Sequence, residues 1–168
     1  MRLRSIIVIL LFYFLGLIQN SFFVHFNISG AGPNFIFILF FLLVFFPARG
    51  GPALGWENIL YSTIAGLFLD IFSDSYFGTS VVILLFIAFL EKKLFYLLKE
   101  RKNKYSVVYF APLFSIFLII YHILSGMYFY LLDFSYINIG WFLLIKIIYS
   151  LVFAIPGFYI YKKITLSA

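Results

Sequence analysis

Apolar residues run along most of this chain in long blocks, and short segments rich in Gly, Pro or charge separate the blocks. Blocks of this kind are typical of membrane-spanning helices. The second block is short, because the run from Phe35 to Phe46 reaches only about 18–20 Å as a helix, against a hydrocarbon core of about 30 Å. It therefore either borrows flanking residues or does not cross fully. The pattern predicts six spans, at about 5–20, 34–47, 53–72, 78–95, 107–132 and 140–161.

The composition of the chain favours the same interpretation. Of its 168 residues, 65% are hydrophobic and only 11% are charged, whereas soluble domains are about 45–50% apolar. A domain of this length buries only about two-thirds of its surface, so a soluble core could not hide so many apolar side chains. We therefore expect a single all-α membrane domain over residues 1–168.

The basic residues indicate how the spans are oriented. Eleven of the twelve Lys and Arg residues fall before the first span, in the loops after the second and fourth spans, or after the sixth span. Because basic loops stay in the cytoplasm, both termini are predicted to be cytoplasmic. The net charge of +6 is explained by these loops, and no nucleic-acid partner is expected. The basic stretch from Lys92 to Lys104, which continues helix four as an amphipathic piece, either lies against lipid headgroups or docks a protein.

Carboxylates near the end of the third span are the first candidate site. Asp70 and Asp74 are two of only six acidic residues, and a carboxylate facing hydrocarbon is strongly disfavoured. Gly55, Ser62 and Gly66 precede Asp70 at helical spacing and share one face with it. Small residues on such a face allow a neighbouring helix to approach closely. We expect Asp70 to point into a helix contact, at a helix end or as part of an acidic pair with Asp74.

Two titratable residues lie within the last two spans. Lys146 is close to the outer end of its helix, where it either extends its side chain to the interface or pairs with an acid. His122 lies mid-span, where it either hydrogen-bonds at a helix contact or relays protons. The acids expected on the side of Lys146 are Asp70, Asp74 and Asp133.

No catalytic pattern stands out in the sequence. The chain has no cysteine, which excludes disulfides, thiolate metal sites and thiol nucleophiles. It also lacks a His-Glu-x-x-His metal motif, a Gly-x-Ser-x-Gly nucleophile motif and a phosphate-binding loop. We therefore expect no cofactor, no metal and no enzymatic activity.

Four features of the central region, about residues 30–95, form a recognisable pattern. They are the Gly32-Pro33-Asn34 helix entry, the Arg49-Gly50-Gly51 turn, the Gly66-x-x-x-Asp70 motif and the following Gly78. With these features the region resembles the MreD family of bacterial rod-shape membrane proteins. One departure is Tyr76-Phe77, which stands where that family often has a proline before the glycine.

The resemblance implies a noncatalytic scaffold in the bacterial plasma membrane. Such a protein pairs with MreC and links the actin-like MreB filaments to peptidoglycan synthases. MreD proteins are also likened to the six-helix substrate-binding subunits of energy-coupling-factor (ECF) transporters, so the alternative is a transporter subunit that binds a small molecule or lipid. A membrane enzyme ranks below both. The candidate structural or partner-binding residues are Pro33, Asn34, Gly50, Gly51, Gly66, Asp70, Asp74, Gly78 and Lys146.

Overall fold

The computed structural model of the chain describes residues 2–28, 30–46, 55–73, 76–97, 106–133 and 140–167. Within these ranges the chain is all-helical and contains no strand, which confirms the all-α part of the predicted fold. Besides a short 3-10 helix, Phe23–Phe26, the described helices are α1 (Arg2–Ser21), α2 (Phe35–Phe45), α3 (Trp56–Phe72), α4 (Thr79–Leu97), α5 (Val107–Asp133) and α6 (Trp141–Ser167).

Two of these helices are long and apolar enough to span a membrane, namely α5 over Val107–Leu132 and α6 over Trp141–Ile164. Helix α6 continues past the predicted bound at residue 161 to Ser167. No proline or glycine follows the Lys162-Lys163 pair to end it. Helix α4 continues to Leu97, as expected for the segment beyond its apolar part.

The short helix α2 is the centre of the bundle. Nine of its eleven residues are buried, and it packs against α1, α3, α4 and α6. The ring of Phe41 also contacts Phe110 and Phe114 of α5. At about 16 Å, α2 is a core element whose apolar residues face other helices on all sides.

Side chains from two other helices hold the buried start of α2. The first amides of a helix have no partner within it and need one elsewhere. Here Asn34 Oδ1 accepts from the backbone nitrogen of Phe37 at 2.9 Å, and Gln19 Oε1 from α1 accepts from that of Phe35 at 2.8 Å. Ser150 Oγ from α6 accepts from the backbone nitrogen of Asn34 at 3.2 Å. These hydrogen bonds tie α1, α2 and α6 together.

We call the end of the bundle at which α1 and α3 end, and α2 and α4 begin, the junction end. The side-chain amide of Asn20 donates to the backbone oxygen of Phe72 at 3.1 Å, which joins the ends of α1 and α3. The ring of Tyr76, just before α4, packs against Tyr128 and Phe129 near the end of α5. The candidate site lies at this end.

Candidate functional site

Asp70 completes the start of α4 from the end of α3. Its Oδ2 accepts a hydrogen bond from the backbone nitrogen of Gly78 at 2.6 Å, and its Oδ1 accepts one from that of Ser80 at 2.9 Å. A carboxylate is favoured here because the free amides and the dipole of a helix start are positive. Gly78 has φ +94°, a left-handed conformation that glycine adopts at little cost. The acid and the second glycine of the motif therefore meet at one turn.

Gly66 lies where the backbone of α3 closely approaches that of α4. A Cβ atom added at Gly66 would overlap the Cα and backbone nitrogen of Val81. Glycine at this position lets the two helices pack backbone to backbone, and α3 and α4 share the largest interface between described helices. This approach brings the start of α4 within reach of the Asp70 carboxylate, one turn further along α3.

A hydroxyl pair extends this junction to α5. Ser80 Oγ and Tyr121 Oη lie 3.0 Å apart and share a hydrogen bond, in which either can donate. Ser80 is thus linked to Asp70 through its backbone and to Tyr121 through its side chain. The result is a buried polar connection from α3 through α4 to α5.

Tyr121 also lines a cavity of about 280 Å³ at the junction end, which we call the polar cavity. Its walls come from the end of α1, the start of α2, the last third of α3, the middle of α5 and the first turns of α6. Leu69 and Phe129 form its apolar part. Its main polar residues are Gln19, Asn34, Tyr121, His122, Ser125 and Lys146.

Lys146 is the cation of the polar cavity, and it makes no ion pair with any described residue. Its ammonium nitrogen lies 5.7 Å from the ring centre of Phe142. The predicted pairing with Asp70 is not formed, because that carboxylate is turned toward the start of α4. Asp74 and the side chain of Asp133 lie outside the described residues.

His122 lies beside Lys146 in the polar cavity. Its Nε2 is buried and has no hydrogen-bond partner among the described residues, so the hydrogen-bonded helix contact expected for it is not formed there. The neighbouring Tyr121 takes the available hydroxyl of Ser80 instead. His122 is left facing the polar cavity with an unused nitrogen.

A second cavity, of about 400 Å³, lies between α4 and α5 and begins at the Asp70 junction. We call it the apolar groove. Thr79 Oγ1 is buried in it and makes no hydrogen bond within the described part of the chain, whereas Val82 is 68% exposed. Its lining residues are Gly78, Thr79, Val82, Ile83, Phe86, Leu124 and Tyr128.

Of the basic stretch from Lys92 to Lys104, the structure describes residues 92–97, and the rest lies outside the described residues. Glu91 and Lys92 are buried, while Lys93 and Leu94 are exposed. Neither carboxylate oxygen of Glu91 has a hydrogen-bond partner among the described residues. The start of this basic segment therefore packs against the bundle with part of its charge buried.

The structure brings most of the candidate residues to the junction end. Pro33 and Asn34 are buried at the start of α2, Gly66, Asp70 and Gly78 meet between α3 and α4, and Lys146 faces the polar cavity. Gly50, Gly51 and Asp74 lie outside the described residues. Across the described ranges, no three His, Asp or Glu side chains come together as metal ligands would.

Sequence reasoning missed four polar residues of this region. Each lies in a mostly apolar helix or at its end, and such polar interruptions are the available signal. The four are Gln19, Ser80, Tyr121 and Ser150.

Comparison of the chain with protein-family models, with curated proteins and with solved structures gave no significant match. The resemblance to the MreD family therefore rests on the motif residues alone.

Proposed function

We propose that the chain is a six-span protein of the bacterial plasma membrane that acts as a noncatalytic scaffold of the MreD type. It pairs with an MreC-like membrane protein and so links MreB filaments to the peptidoglycan synthases. The observation that carries this proposal is the Asp70 junction. Both carboxylate oxygens of the motif acid accept hydrogen bonds from the start of α4, which is a structural use of the acid.

The membrane location is supported by the outer faces of the helices. Large apolar side chains are exposed on α1, α3, α4, α5 and α6, whereas large contiguous apolar patches are rare on soluble monomers. Trp56 and Trp141 are 69% and 80% exposed at the starts of α3 and α6, as expected for interfacial tryptophans. Examples of the exposed apolar residues are Ile6, Leu10, Phe14, Ile116, Leu131, Ile148 and Val152.

The proposed orientation can be tested directly because the chain has no native cysteine. Single cysteines at Phe77, exposed at the junction end, and at Lys163, exposed near the end of α6, would be treated with a membrane-impermeant maleimide in intact cells. We expect labelling at position 77 without permeabilisation and at position 163 only after it. The reverse pattern would contradict a cytoplasmic carboxyl terminus.

A membrane helix of the MreC-like partner binds in the apolar groove. Gly78 and Thr79 are small enough to allow close approach of another helix. The groove begins at the turn that Asp70 holds, so the motif shapes the surface that receives the partner.

A matched pair of variants tests this placement. Val82→Trp fills the apolar groove, whereas Val152→Trp adds the same bulk to α6, where Val152 is also exposed, at 58%. Both proteins would be expressed in place of the wild type and purified from their membranes. We expect Val82→Trp to lose the MreC-like partner and its cells to become round. Val152→Trp should keep the partner, and its cells should keep their normal shape. Equal recovery of the partner from the two variants would exclude the apolar groove as the partner's binding site.

A second candidate function is a substrate-binding subunit of an ECF-like transporter. The polar cavity favours it, because a cavity with convergent polar groups is the usual form of a small-molecule site. Recovery of an ATPase-coupled module together with a stoichiometric small ligand would support this function over the scaffold.

A further inference from the structure

Lys146 is the only charged side chain among the described residues that line the polar cavity. It is half-buried, and no acid within the described ranges pairs with it. A charge held among side chains away from free solvent is costly unless an opposite charge accompanies it. The polar cavity therefore carries a positive charge that no described residue balances, and a bound anion would balance it.

The side-chain amides that line the polar cavity with Lys146 also present hydrogen-bond donors. Gln19 Oε1 and Asn34 Oδ1 are committed to backbone N–H groups at the start of α2. Because the oxygen of each amide is used in this way, the NH₂ group is what remains for the cavity. One cation and two amide NH₂ groups thus line the polar cavity.

We propose that the polar cavity binds the anionic group of a small ligand, a carboxylate or a phosphate. Lys146 is its counter-ion, and the amides of Gln19 and Asn34 donate hydrogen bonds to it. The volume of about 280 Å³ lies just below the usual range for ligand pockets, which starts near about 300 Å³. It admits a small acid or a lipid headgroup, but not a whole lipid. This inference goes beyond the scaffold function and does not depend on the identity of its partner.

The test uses the purified full-length protein and compares Lys146→Met with Lys93→Met. Both changes remove one positive charge, but Lys93 is exposed on α4 and lies outside the polar cavity. Binding of inorganic phosphate and of acetate would be measured by calorimetry in detergent. We expect saturable binding in the wild type and in Lys93→Met, and at least tenfold weaker binding in Lys146→Met.

A second variant keeps the proposal testable if Lys146→Met folds poorly. Gln19→Glu retains an acceptor for the Phe35 amide and supplies an internal carboxylate beside Lys146, so it should fold and yet lose anion binding. Absence of saturable binding in the wild type, or undiminished binding in Lys146→Met or Gln19→Glu, would overturn the proposal.

The source of the anion is distinguished by lipid composition. Thermal midpoints would be compared in nanodiscs of phosphatidylcholine and of phosphatidylglycerol, with and without phosphate. Stabilisation by phosphate in phosphatidylcholine discs indicates a soluble ligand, and stabilisation by phosphatidylglycerol alone indicates a headgroup. In both cases the stabilisation must disappear in Lys146→Met and persist in Lys93→Met. If phosphate or phosphatidylglycerol still raises the thermal midpoint of Lys146→Met, that result contradicts the proposed site.

Discussion

Asp70 Oδ1 lies 2.9 Å from the backbone nitrogen of Ser80, so a side chain at the end of α3 completes the first turn of α4. The other carboxylate oxygen accepts from Gly78, and the turn between the helices is thereby closed. Asp70 thus joins two helices. We expect its replacement to affect function by disturbing this helix junction.

Replacing Asp70 with Asn should destabilise the protein. The amide keeps one acceptor oxygen but turns an NH₂ group toward a second backbone N–H, and it removes the favourable charge at the helix start. Hydrogen bonds to charged groups are worth about 1.5–3 kcal/mol, and we expect a loss of that order in the free energy of unfolding. Thermal and denaturant unfolding in detergent would measure it.

The control for this change is Thr63→Val, which removes a hydroxyl whose hydrogen bond to the Ile59 oxygen stays within α3. We expect a clearly smaller loss in the free energy of unfolding. Equal unfolding midpoints for Asp70→Asn and the wild type would show that the hydrogen bonds of the Asp70 carboxylate contribute nothing to the stability of the folded protein.

Replacing Gly66 with Ala should force α3 and α4 apart, because the new Cβ overlaps the backbone of Val81. Overpacking of this kind costs about 1–3 kcal/mol. Gly157→Ala is the matched control, since the nearest atom to its Cβ is the flexible Leu42 Cδ1 at 3.2 Å, and Ala gains up to about 1 kcal/mol in a helix. Unfolding experiments should therefore give opposite signs for the two variants, and the same sign would be evidence against the close backbone approach.

Ser150→Ala should leave the buried backbone N–H of Asn34 without its acceptor. An unsatisfied buried donor costs about 1–3 kcal/mol, and the loss should appear as a lower unfolding midpoint. Ser115→Ala is the control, because Ser115 Oγ bonds only to the Ala111 oxygen of its own helix, and a change within about 0.5 kcal/mol is expected. Similar midpoints for both variants would rule out a structural role for the Ser150 bond.

The sequence predicts the helical elements and the Asp70 junction well, for identifiable reasons. Long apolar runs specify helices whatever lies around them, and a carboxylate within such a run must find a partner. Gly66 was found because helical spacing places it on the same face as Asp70. These signals are local, and so they can be read from one sequence.

The polar cavity could not be predicted in the same way. Ser150 and Asn34 are 116 residues apart, and no local pattern indicates that they meet. The run of α2 is apolar on every side, and such a pattern fits a lipid-facing helix and a buried one equally well. Which side chains Lys146 and His122 face depends on how α5 and α6 pack together, and that is a property of the tertiary structure.

Lys146→Met should stabilise the protein when no anion is bound, because it removes a half-buried charge that has no partner in the described ranges. We expect the unfolding midpoint to rise by about 2–4 °C, as a gain of about 1 kcal/mol would produce at this size. Lys93→Met should leave the midpoint unchanged, since the Lys93 side chain is exposed. A lower midpoint for Lys146→Met in delipidated protein would show that Lys146 already has an internal partner.

The scaffold function is tested most directly by purifying the protein from its native membrane and identifying all bound proteins and small molecules, with Asp70→Ala and Asp70→Asn beside the wild type. We predict recovery of an MreC-like protein and wall synthases with the wild type, and reduced recovery with both variants in proportion to their loss of stability. Full recovery of these partners with a folded Asp70→Ala protein, or recovery of an ATPase-coupled transport module in their place, would contradict the account.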